Sequence, residues 1–109
     1  MNRITTHVLD AVLGKPAAGM SVRLDKMVEK VWFHIREGTT DADGRCSDLL
    51  PEAEVGFYRL TFNTRGYLAG MGRTSVFPEI SITFTCDGVA HYHLPLLLSD
   101  NCYTTYRGS

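Results

Sequence analysis

Apolar and polar side chains alternate at every second position through much of the chain, the period of a strand with one buried face. The clearest stretch is 76–86, where Ile80, Ile82 and Phe84 alternate with Ser81, Thr83 and Thr85. Residues 20–26 repeat the pattern, with Val22 and Leu24 on one face and Ser21, Arg23 and Asp25 on the other. Residues 4–9, 31–36, 55–62 and 91–99 are rich in β-branched, aromatic or aliphatic side chains, which favour a pleated surface. A short last strand is predicted over 103–106. Turn formers separate these segments: 14–19 with its Gly and Pro, 39–44 ending in Asp43-Gly44, and Asp87-Gly88. Asn63 or Thr64 can cap one short helix that runs through 68–71 and is closed by Gly72. Seven or eight short strands with turns between them predict a mainly β fold, a two-sheet antiparallel β-sandwich with one short helix at its edge.

Composition narrows the picture by exclusion. The 109 residues contain no internal repeat or linker, so 1–109 is expected to form a single domain. A domain of this size has little room for an internal cavity, so a small-molecule site is expected in a groove or between subunits. The formal net charge is −1 and the eleven Lys and Arg are scattered, which argues against a nucleic-acid partner. No apolar run reaches the roughly 20 residues that span a bilayer. The first residues lack the charged and apolar regions of a secretory signal. Cys46, Cys86 and Cys102 are an odd set without CxxC spacing, which suits reduced thiols better than a disulfide framework. These features predict a cytoplasmic protein. The ending Arg107-Gly108-Ser109 is not the peroxisomal Ser-Lys-Leu address.

Chemistry enters with the histidines. His91 and His93 are two apart on a predicted strand, so both rings leave the same face. Such a pair is half of a metal site, with His7 as a conceivable third ligand, but no acidic residue flanks it and the metal reading is set aside. Acid–base chemistry is the second reading. Neutral imidazole can take a proton from water near neutral pH. A hydrolase without a nucleophilic Ser or Cys needs such a base and a cation or N–H set to hold oxyanion charge. Arg45, directly after Asp43-Gly44, is placed to project into a groove. The bland alternative makes these histidines solvated or hydrogen-bonded strand residues. The chain ends on Tyr103-Thr104-Thr105-Tyr106-Arg107-Gly108-Ser109, either a β-tail with aromatic cross-strand pairs or a tail folded into a pocket with Tyr106 and Ser109 as polar contacts. His34 is read as structural, and Arg59, Arg65 and Arg73 as surface charges.

Several of these segments together resemble the 5-hydroxyisourate hydrolases of the transthyretin-like family. Ile4-Thr5-Thr6-His7-Val8-Leu9-Asp10 resembles their opening strand, and Gly14-Lys15-Pro16-Ala17 the loop after it. Asp43-Gly44-Arg45 matches the family's turn arginine. His91-Tyr92-His93-Leu94-Pro95-Leu96-Leu97-Leu98-Ser99 resembles its penultimate strand, and Tyr106-Arg107-Gly108-Ser109 its terminal tetrapeptide. The tetrapeptide is the most specific part, because it separates the hydrolases from transthyretin, the hormone carrier of the same fold. One stretch departs: the family usually has Ser-Pro before the last strand, where this chain has Ser99-Asp100, and Thr104 stands for a serine.

The resemblance implies a homotetramer of β-sandwiches with active sites in a channel between subunits. It implies hydrolysis of a cyclic amide in urate and purine breakdown, with no metal or organic cofactor. Carried over by position, His7, Arg45 and His93 are the expected catalytic residues. Arg45 and His7 are expected to bind the substrate together with Tyr106, Arg107, Gly108 and Ser109. Which histidine acts as the base stays open. Transthyretin has other residues at the positions of His7, Arg45 and His93, so a non-catalytic small-ligand carrier is the alternative. A structural sandwich working through a strand edge is a third reading.

Overall fold

Alternation and turn chemistry fold the chain into β1 (Arg3–Asp10), β2 (Lys15–Pro16), β3 (Ser21–Val28), β4 (Val31–Thr39), β5 (Arg45–Leu50) and β6 (Gly56–Phe62). Helix α1 (Thr64–Ala69) follows, then β7 (Ile80–Cys86), β8 (His91–Leu98) and β9 (Tyr103–Thr105). The computed structural model describes residues 3–88 and 91–108, apart from the side chain of Asp48. One sheet has the order β2-β1-β8-β9, with β5 also paired to β1, and the other the order β4-β3-β6-β7. This is the two-sheet sandwich the alternation predicts. One pair runs parallel: β1 lies beside β8 from Arg3↔His91 to Asp10↔Leu98. Parallel neighbours need a long crossover, and here the whole second sheet is built between them in sequence.

The period of two sorts each strand. Ile4 and Val8 of β1 point inward with Tyr92, Leu94, Leu96 and Leu98 of β8. They meet Val22, Leu24, Tyr58, Leu60, Phe62 and Ile80 of the other sheet in one core cluster. Thr6 is also buried, and its hydroxyl donates to the Leu94 carbonyl at 2.6 Å, which satisfies it there. The same alternation leaves Arg3, Thr5 and His7 on the opposite face of β1, beside His91 and His93 on β8.

Some local expectations shift. Residues 76–79 are not strand, since Pro78 cannot donate to a ladder and the Val76 N–H is taken by the Asp100 carbonyl. Helix α1 is capped by Asn63, whose side chain accepts from Gly66 N at 3.0 Å, and ends at Ala69. Strand β5 alternates only over Arg45-Cys46-Ser47, too short a run to mark a strand, and forms by pairing with β1. The β3–β4 hairpin turns on Glu29 and Lys30, both at positive φ (50° and 68°), the geometry of a type I′ turn without its usual Asn-Gly. Arg73 is no surface charge: it is mostly buried, and its guanidinium meets Asp10 at 2.7 Å and Asp100 at 2.9 Å. His34 lies on the outer face of the second sheet, 3.7 Å from the Asp25 carboxylate. Trp32 beside it stacks under Arg59 at 4.4 Å.

Candidate active site

Three strands bring the polar set together. Pairing of β1 with β5 places Arg45 directly opposite His7, and pairing with β8 places Thr5 beside His93. The result is a groove of about 400 Å³ on the outer face of the first sheet. It is lined by Arg3, Thr5 and Thr6 from β1, Arg45 and Ser47 from β5, and His91 and His93 from β8. The His7 ring stands at its margin, 6.5 Å from the His93 ring centre to centre. Arg45 also borders a second groove of about 490 Å³ between β4 and β5, which holds no imidazole. The imidazoles and the chemistry they can support lie in the first.

Each histidine has one ring nitrogen committed. His7 Nε2 lies 2.9 Å from the Asp43 carbonyl, an acceptor, so this nitrogen carries a proton, and in the neutral ring Nδ1 has the lone pair. His93 Nδ1 lies 2.7 Å from Thr5 Oγ1, which leaves Nε2 to meet a ligand. Desolvation lowers the pKa of His93 below the ordinary imidazole value, and the charges of His91, His7 and Arg45 lower it further. His93 is therefore held neutral, the state a proton acceptor needs.

The C-terminal segment runs back along β8 beside the two histidines. Gly108 N–H donates to the His93 carbonyl at 2.7 Å. A Cβ on Gly108 would sit 2.8 Å from His93 Cδ2, so only glycine lets the tail pass this close to the ring. Arg107 turns back onto β8: Nη2 donates to the His91 carbonyl at 3.1 Å, and its guanidinium lies 4.5 Å from the Tyr92 ring. Tyr106 is exposed, and Ser109 lies outside the described residues. Among the expected site residues, Arg45 and His93 line the groove, His7 and Gly108 stand against them, and Tyr106 and Arg107 do not line it.

Gly44 sets up Arg45. The Asp41 carboxylate accepts the N–H groups of Asp43 and Arg45 at 2.9 and 3.0 Å, and Gly44 turns the chain at φ 77°. Its carbonyl accepts from Val8 N at 2.8 Å, locking the turn onto β1. A Cβ at position 44 would overlap the Val8 carbonyl oxygen. Gly44→Ala is therefore expected to cost at least ~1–3 kcal/mol, the range for a non-glycine residue held at left-handed φ. An unchanged urea midpoint would remove the steric reason for a glycine before Arg45.

Sequence reasoning passed over Thr5, Arg3, Ser47 and the site placement of His91. The signal for two of them was present, since Arg3, Thr5 and His7 share one face of a strand. Among the described residues, no three His, Cys, Asp or Glu side chains converge as a metal-ligand set. Cys46 and Cys86 are buried thiols and Cys102 an exposed one. No described helix is long and apolar enough to cross a membrane.

Comparison with known proteins adds a family to this geometry. The sequence profile of the HIUase/Transthyretin family matches residues 4–108. The chain is 42% identical over 111 residues to the 5-hydroxyisourate hydrolase of Salmonella typhimurium, covering 99% of this chain and 82% of that protein. Its structure superposes on Klebsiella pneumoniae 5-hydroxyisourate hydrolase with a TM-score of 0.88 at 36% identity, covering 100% of this chain and 94% of that one. It superposes as well on transthyretin from Sparus aurata, with a TM-score of 0.92 at 32% identity over 97% of this chain and 96% of that one. Backbone shape alone therefore does not separate a hydrolase from a carrier.

Proposed function

The chain belongs to the HIUase/transthyretin family, and from that membership we propose that it is an enzyme that hydrolyses 5-hydroxyisourate. The product is 2-oxo-4-hydroxy-4-carboxy-5-ureidoimidazoline, formed by opening a cyclic amide in urate catabolism. The observation that carries this reading is the convergence of two imidazoles and a guanidinium on one sheet face: Arg45 opposite His7, and His93 beside them. A pure carrier has no evident need for that set around one ligand. Similarity to a 5-hydroxyisourate hydrolase over 99% of this chain, at 42% identity, supports the same choice.

In the reaction, water adds to a ring carbonyl carbon and the adjacent C–N bond breaks. The proton taken from water ends on the departing nitrogen. His93 is assigned as the base, because it is held neutral with Nε2 open, and His7 Nδ1 as a second acceptor that orients the water or the ring. Arg45 holds the developing charge on the carbonyl oxygen; its fork can grip two oxygens at once. The tail from Tyr106 to Ser109, tied to His93 at Gly108 but not lining this groove within one subunit, is assigned to positioning the ring in the assembled protein, which reduces the entropy lost in alignment.

The groove is open to solvent on one side, whereas these electrostatic contacts gain strength when water is excluded. A homotetramer that covers each groove with a neighbouring subunit meets that need, and we assign this assembly to the protein in the cytoplasm. The test is the ultraviolet decay of 5-hydroxyisourate generated in situ from urate, with the mass in solution measured by light scattering. Decay faster than the spontaneous rate is expected from a tetramer. A folded tetramer with only the spontaneous rate would leave ligand carriage as the better reading.

A further inference from the structure

We propose that Thr5 and His91 form a proton relay that sets which nitrogen of His93 carries its proton, making them positioning residues for the base; this rests on the hydrolase reading of the groove. Thr5 Oγ1 lies 2.7 Å from His93 Nδ1 and 3.0 Å from His91 Nε2. Thr5 is only 6% exposed, so little water competes for its hydroxyl. A hydroxyl has one proton to donate. Between two ring nitrogens it must donate to one and accept from the other.

Two polarities follow. In the first, His93 Nδ1–H donates to Thr5 and Thr5 donates to His91 Nε2. His93 then presents a lone pair at Nε2 and is competent as a base. In the second, His91 Nε2–H donates to Thr5, and Thr5 donates to His93 Nδ1. Neutral His93 then carries its proton on Nε2 and is a donor instead. When His91 is protonated, its Nε2 can only donate, so only the second polarity survives. The charge on exposed His91 thereby switches His93 between base and donor through one buried hydroxyl.

Several cationic side chains surround the two rings, which disfavours charging both of them. Arg3 of β1 stands in register with His91, and His7 and Arg45 face His93 from β1 and β5. Arg107 of the tail reaches over to the His91 carbonyl. The turn before β5 adds Asp41 and Asp43; the Asp41 carboxylate takes two backbone N–H groups there, and Asp43 presents its carbonyl to His7. Burial, and after it the charges of His91, His7 and Arg45, lower the proton affinity of His93, which agrees with a ring that stays neutral.

The test needs no substrate. Long-range proton–nitrogen NMR on protein labelled at histidine reads the tautomer of His93 between pH 5 and 9. The wild type is expected to change tautomer as His91 titrates. Thr5→Val, nearly isosteric, should lose that switch, and Thr5→Ser should keep it. His91→Gln, at an exposed position, should hold one tautomer at every pH, which covers the case of a poorly folded Thr5→Val. In the hydrolase assay, the acid limb of kcat/KM should fall as a two-proton event in the wild type and in Thr5→Ser. It should fall as a one-proton event in Thr5→Val. A wild-type tautomer that ignores His91, or one unchanged in both Thr5→Val and His91→Gln, would overturn the relay and leave the hydrolase reading standing. An inactive protein that still shows the switch would do the reverse.

Discussion

Replacing Arg45 with glutamate is expected to abolish hydrolysis of 5-hydroxyisourate and leave the protein folded. Arg45 is exposed, and its place in the chain is held by main-chain groups: its N–H to the Asp41 carboxylate and its carbonyl to Asp41 N at 2.9 Å. The side chain can therefore change without loss of the turn. Its guanidinium has two effects in the groove. It is aimed at oxygens that gain negative charge as water adds, and removing one such donor typically costs roughly 10²–10³ in kcat. It also helps to hold His93 neutral. Glutamate reverses both effects, opposing the oxyanion and raising the proton affinity of the base. The loss should therefore exceed the donor effect alone. Arg45→Lys should fall between the two, since it keeps the charge and loses the planar fork. Rates from ultraviolet decay, with circular dichroism as the check on folding, decide it. An active, folded Arg45→Glu variant would remove Arg45 from the mechanism.

The largest loss of stability is expected far from the groove, in Arg73→Met. The Asp10 carboxylate is wholly buried at the end of β1. It accepts from Tyr67 Oη at 2.9 Å, from Arg73 Nη1 and Nη2 at 2.7 and 3.3 Å, and from the N–H groups of Val12 and Leu13. Burial pushes the Asp10 carboxyl up, but the bonds from Arg73, Leu13 and Tyr67 and the charge of Arg73 outweigh it and hold it below its usual range. Burial and the same carboxylate push Tyr67 up to about 12, so it remains a donor. Removing Arg73 leaves a buried charge without its counterion, which costs about 3–5 kcal/mol. The pH dependence has a definite sign. A carboxyl with a depressed folded pKa contributes stability above its unfolded value of about 3.9 and loses it as pH falls through the folded pKa. Wild type should therefore lose stability in acid below about pH 4, and Arg73→Met should lose less over that range. Urea melts at pH 7 and pH 3 measure both. Equal midpoints for the two proteins at pH 7 would show that the network contributes no net stability.

The same arginine explains the departure at position 100. Where the resembling sequences have a proline after the serine, Asp100 takes Arg73 Nη2 at 2.9 Å and its carbonyl takes Val76 N at 3.0 Å. Tyr103 then packs edge-on against Phe77 at 5.1 Å. Contacts hold the β8–β9 turn where a ring would otherwise restrict it. Nothing in residues 73–77, taken as a string, indicates that they support a turn near position 100.

What could be read along the chain was whatever depends on near neighbours. The period of two is a property of the extended backbone, so the inward set of Ile80, Ile82 and Phe84 and the shared face of His91 and His93 were visible from spacing alone. Asp43-Gly44 announced its turn through the conformational freedom of glycine. The Glu29-Lys30 turn did not, because both residues sit at positive φ without the residue types that normally signal it. Strand β5 was silent for a related reason: the alternation of Arg45-Cys46-Ser47 is three residues long and breaks at Asp48, and partners on β1 make it a strand. The site is the extreme case. Thr5 and His93 are 88 positions apart and touch because β1 and β8 run parallel across a crossover that contains the entire second sheet. Local propensity has no term for that separation. Only burial of both sheets against one core brings the distant strands into register, and with them the hydroxyl, the imidazoles and the guanidinium.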